Sequence, residues 1–118
     1  MPATMVWGKG FRVQNITLRP GEVQQEVLGI DGGSEMISWA SVAEMESVAE
    51  QHGVNRDCWP TYRECENESD VPLEDAERRS SELRTILARL DSRIVEGSYW
   101  LSFVRKILLE GNSFFIMV

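Results

Sequence analysis

Two reversal signals stand close together near the N-terminus, Arg19-Pro20-Gly21-Glu22 and Asp31-Gly32-Gly33-Ser34. Proline presets the first central residue of a turn and glycine supplies the positive φ of the second, so Pro20-Gly21 fits a type II turn. The Asp-Gly-Gly run reads as a hairpin turn on the same ground of permitted positive φ. The segments between these signals alternate as strands do. Phe11 and Val13 are followed by Ile16 and Leu18, and the change of phase near Asn15 reads as a bulge. Val23 to Ile30 gives a second strand and Met36 to Trp39 a short third. The expectation is a three-stranded meander, preceded by a weakly structured stretch that contains Trp7.

Helical periodicity takes over from residue 40. Ser41 and Glu44 form a capping box, with Ala40 and Met45 placed as a hydrophobic staple. Val42, Met45, Val48 and Ala49 line one face; Glu44, Glu46 and Glu50 are expected to point elsewhere, and Gly53 ends the helix. A second helix is expected from Pro72, capped by Ser69 or Asp70, with Ala76, Leu83, Ile86, Leu87 and Leu90 as its apolar stripe. The pattern makes it about 20 residues long, with Arg89 and Arg93 toward its C-terminus. A third runs from Tyr99 to Glu110 and stops at Gly111-Asn112. Ser113 to Val118 is too apolar for a free tail and reads as a strand added to the N-terminal sheet. The fold class is therefore α+β: a small antiparallel or mixed sheet of N-terminal strands plus the C-terminal strand, covered by about three helices. Residues 1–118 read as one domain, interrupted by a long acidic loop at about 54–71.

With 42% hydrophobic and 26% charged residues the chain has a globular composition. At this length roughly two-thirds of the unfolded surface is buried on folding, so no disulfide or metal staple is needed. Cys58 and Cys65 are read as free thiols of a reducing compartment. The N-terminus lacks the basic start and apolar run of a signal peptide, and Phe114 to Val118 is too short to span a bilayer. The expected location is the cytoplasm.

The net charge of -7 is unevenly spread. Residues 1–34 are balanced, residues 35–77 hold twelve acidic side chains against two basic, and residues 78–118 carry a basic excess. Such a field repels nucleic acid and anionic membranes and steers a cationic partner.

Catalytic and cofactor signatures are weak throughout. His52, the one histidine, is read as a structural or surface residue at the end of the first helix. His52, Cys58 and Cys65 are spaced too widely for a structural zinc site. The alternating carboxylates Glu64, Glu66, Glu68 and Asp70 lack the glycine turn of a calcium loop. Gly8-Lys9-Gly10 lacks the longer glycine loop of a phosphate site. Glu22 and Glu26 are not singled out as a hydrolytic pair. No residue is assigned a catalytic or metal-binding role, and no cofactor is expected.

Trp39 and Trp100 are expected in the core, Trp39 at a strand end. Trp59, in the long loop beside Tyr62 and the carboxylates, is expected to be an exposed interface anchor. The reading is a non-enzymatic protein-binding domain, of the inhibitor or immunity type, whose partner is another protein of basic character. Its candidate interface is Trp59, Tyr62, Glu64, Glu66, Glu68 and Asp70. A small enzyme or ligand-binding domain with a pocket near His52 is the alternative, and a homodimeric structural subunit paired through an edge strand is the third reading.

Overall fold

Residues 2–38 build one long, kinked β-ribbon where a meander was expected. The computed structural model describes residues 2–62 and 73–117. Strand β1 (Pro2–Gly8) leads into β2 (Phe11–Arg19), and β3 (Glu22–Gly29) leads into β4 (Gly33–Ser38). Antiparallel pairing joins β1 to β4 and β2 to β3 in a single register: Pro2 opposes Ser38, Trp7 opposes Gly33, Phe11 opposes Gly29 and Thr17 opposes Val23. Bonds from Lys9 N to Ile30 O and from Ile30 N to Gly10 O carry the pairing across the gap. The chain therefore reverses once, at Pro20-Gly21, where Gly21 takes a φ of 87°. The register shifts between Thr17 and Arg19, so the irregularity expected near Asn15 falls at Leu18.

Asp31-Gly32-Gly33 bends this ribbon and does not reverse it. The reason is steric. A Cβ on Gly29 or Gly32 would lie 1.8 Å from the carbonyl oxygen of Trp7, and one on Gly8 would lie 2.5 Å from Ile30 N. Glycine is required here because two backbones approach within a side chain's radius.

The half of the ribbon nearer the termini joins the main sheet. Helix α1 (Trp39–Glu50) follows directly, then a 3-10 turn (Arg56–Cys58), β5 (Thr61–Tyr62), α2 (Leu73–Ala88), α3 (Ser92–Glu96), α4 (Tyr99–Leu109) and β6 (Ser113–Met117). Among the described residues the sheet order is β4-β1-β6-β5, antiparallel except for the parallel β5–β6 pair. The C-terminal segment thus adds a strand, as expected, and the fold is mixed α+β. β1 is central and buried on both faces. Ala3 and Met5 join Ile37, Phe114 and Ile116 under the helices, while Val6 and its opposite neighbour Phe115 are buried on the other face. Two-sided burial removes the alternation that would have marked β1 as a strand.

Ser38 caps α1, its Oγ accepting from Ser41 N at 3.1 Å, so Trp39 opens the helix and does not end a strand. Glu46 is 2% exposed, against expectation. It stands four residues after Val42 and three before Ala49, which places it on the buried stripe. The expected 20-residue helix breaks after Ala88, because Asp91 caps α3 by accepting from Arg93 N at 2.9 Å. α4 agrees with expectation and buries Leu101, Val104, Ile107 and Leu108.

Helix α2 closes the edge of β6 where β5 stops. The buried hydroxyl of Ser80 accepts from Phe114 N at 3.0 Å and donates to Phe114 O at 3.2 Å. One turn on, Arg84 donates to Asn112 O at 2.8 Å and to Leu108 O at 2.6 Å. Pro60 O takes Ile116 N at 2.9 Å. Side chains of a helix thus stand in for a neighbouring strand, as buried backbone groups must find partners. Arg84 also places a cation at the negative end of α4, where Lys9 Nζ donates to Glu110 O.

Candidate functional site

The expected interface divides sharply in this fold. Trp59 is 1% exposed, which corrects the expectation of an exposed anchor. Its ring meets Phe114 edge-on, with centroids 6.1 Å apart, and its carbonyl accepts from Arg79 Nη1 at 3.0 Å. The cause is the sequence on either side. Asn55 accepts from Asp57 N at 3.0 Å and starts the 3-10 turn, while Pro60 and Thr61 are held to β6, so the indole between them is directed into the core. Tyr62 pairs through its backbone with Met117 at the end of β5. Glu64, Glu66, Glu68 and Asp70 lie outside the described residues, as do Cys65 and the expected start of α2 at Pro72.

Both flanks of that acidic segment are fixed on β6. The preceding flank is held by Trp59, Pro60 and the β5 pairing; α2, which follows, is held by Ser80 through its hydrogen bonds with Phe114. Glu44, Glu50, Asp57 and Glu77 are exposed on the adjoining elements. Glu50 pairs with Arg56 at 2.7 Å, and Asp75 pairs with Arg79 at 3.4 Å and with Arg78. His52 is exposed just beyond α1, its backbone N donating to Ala49 O at 3.0 Å. Cys58 is a half-buried free thiol. Among the described residues no three His, Cys, Asp or Glu side chains gather as a metal site would require.

Sequence reasoning missed a second surface. Beyond the kink, β2 and β3 pair only with each other among the described residues and form a separate two-stranded arm. The molecule is 51 Å long and 26 by 20 Å across. Leu18 and Val23, beside the arm's turn, are 62% and 64% exposed, and Val13 is exposed further down. Arg19 and Glu22 oppose one another at the tip. The signal was present in Gln14-Asn15 and Gln24-Gln25. Four consecutive-paired amides in mid-ribbon are polar on both faces, which does not suit a sheet with one face in the core.

A third feature is an open cleft of about 350 Å³ between α3 and α4. Val95 and Leu109 form its apolar part, and Glu96, Arg105, Lys106 and Glu110 line it with charge. None of these four charged side chains is ion-paired among the described residues, and Arg105 Nε is buried without a hydrogen-bond partner there. His52 is not among the residues that line it.

At the start of α4, Tyr99, Trp100 and Phe103 meet edge-on in sequence, and Phe103 meets Trp7 of β1 at 5.1 Å. Trp7 is thus packed against the core and Gly33, opposite it, leaves room for its ring. Among the described residues no helix is long and apolar enough to cross a membrane. No protein-family model, curated protein or solved structure matches the chain.

Proposed function

We propose that this chain is a non-enzymatic domain that binds a basic protein through its acidic middle third, residues 35–77. The observation that carries the reading is the fixing of both flanks of the acidic segment on β6, with Trp59 as the buried pin of the first flank. Twelve acidic side chains against two basic in residues 35–77 make a field that favours electrostatic steering of a cationic partner. Inhibition of a nuclease or a similarly basic protein suits such a field. That assignment is one of physical type. The alternative of a pocket near His52 finds less support, since His52 is exposed and lies outside the α3–α4 cleft.

The test compares wild type with a variant carrying Glu64→Gln, Glu66→Gln, Glu68→Gln and Asp70→Asn. Each is used to capture partners from host lysate at low salt. A stoichiometric basic protein held by wild type, released by salt and lost with the variant supports the reading. A partner retained equally by both, or released only by denaturant, would overturn it.

A further inference from the structure

We propose that two copies of this chain pair by seating the arm tip of each in the α3–α4 cleft of the other. The tip and the cleft carry matching patterns. At the tip, Leu18 and Val23 expose apolar side chains beside one cation and one anion, Arg19 and Glu22. In the cleft, the apolar Val95 and Leu109 are flanked by Arg105 and Lys106 and by Glu96 and Glu110. Leu109 is 56% exposed. Glu22 finds a basic partner there and Arg19 an acidic one, while Leu18 and Val23 cover the exposed Leu109 above the buried Val95.

The charges at the cleft strengthen the case for an occupant that bears both signs. An anionic ligand would meet Glu96 and Glu110, and a cationic one would meet Arg105 and Lys106. The arm tip carries one group of each sign, Arg19 and Glu22, and so matches both sets. A two-stranded ribbon is marginal by itself in water, so an arm exposing aliphatic side chains gains from being covered.

The proposed exchange is reciprocal: each copy offers one arm and one cleft, and a two-fold pair uses both. Symmetry also doubles a small contact, which moves it toward the roughly 1,200 Å² that a specific interface needs. The arm and the cleft lie on elements other than the acidic segment, so this inference stands or falls separately from the proposed function.

The experiment is sedimentation equilibrium on the purified protein without any partner. Two exposed residues are changed, Leu18→Asp in the arm and Leu109→Arg in the cleft, with circular dichroism to confirm folding. Wild type should dimerise, and each variant should weaken the dimer about tenfold or more. Mixing the two variants supplies the decisive reading. The Leu109→Arg arm still fits the Leu18→Asp cleft, so the mixture should form a heterodimer that neither variant matches alone. A wild-type monomer throughout would overturn the pairing and leave the arm to another partner. So would a dimer indifferent to both changes, or two variants that weaken association without complementing each other.

Discussion

Ser80→Ala separates two effects of opposite sign. Ser80 lies inside α2, and alanine is the better helix former there by about 0.5 kcal/mol. On helix propensity alone the variant would be the more stable protein. The structure makes the other effect larger. Both hydrogen-bonding groups of Phe114 turn to the Ser80 hydroxyl, one at 3.0 Å and one at 3.2 Å, and both residues are fully buried. Alanine leaves a buried N–H and a buried C=O unpaired, each costing about 1–3 kcal/mol. Allowing for the propensity gain, the expected loss is roughly 1.5–5.5 kcal/mol, which lowers Tm by about 5–20 °C for a chain of this length. Urea unfolding followed by tryptophan fluorescence measures it well, since Trp59 packs on Phe114 itself. Ser81→Ala, one residue on and exposed, is the control and should be neutral or slightly stabilising. If Ser80→Ala unfolds at the same urea concentration as Ser81→Ala, the reasoning that α2 completes the edge of β6 is wrong.

Three further stability predictions follow from the structure. Gly29→Ala puts a Cβ into the Trp7 carbonyl and should cost about 3 kcal/mol or more, or abolish the kinked ribbon, as read by circular dichroism and denaturant melts. Gly21→Ala meets nothing within 4 Å and is strained only by its positive φ, so it should cost about 1–2 kcal/mol in the same melts. Trp59→Ala should destabilise by about 3–5 kcal/mol in thermal or chemical unfolding, because it empties a core position packed on Phe114. An unchanged midpoint in that variant would return Trp59 to the surface.

Local signals in the sequence were read well where a single chemical reason fixes the structure. Pro20-Gly21, the α4 stripe with its stop at Gly111-Asn112, and the apolar Ser113–Met117 strand all belong to this class. Failures came where one residue type serves two purposes. Glycine answers equally to positive φ and to close backbone contact, so Asp31-Gly32-Gly33 read as a reversal when it marks a crossing. Serine caps equally well at 38 or 41, and the helix moved to the earlier one. An aromatic ring in a loop is either an anchor or a plug, and only the three-dimensional neighbourhood made Trp59 a plug. The acidic third was legible as charge. The cleft was not, because its two cations and two anions cancel and come from separate helices.

The ribbon also dictates an order of events. Its pairing is local and grows outward from one turn at Pro20-Gly21, a process that takes about 1–10 μs in isolated hairpins. β1 has a second partner, β6, and that pairing joins Gly8 to Ser113 across most of the chain. Bringing such distant segments together costs about 4 kcal/mol in loop-closure entropy before any contact repays it. The strand at the centre of the sheet thus finds one neighbour by local zipping, after β2 and β3 have paired, and the other only through a long-range encounter. Until β6 arrives, β1 presents Val6 and Met5 along an open edge, and the rate at which α2 and α4 deliver β6 sets how long that edge is exposed to other chains.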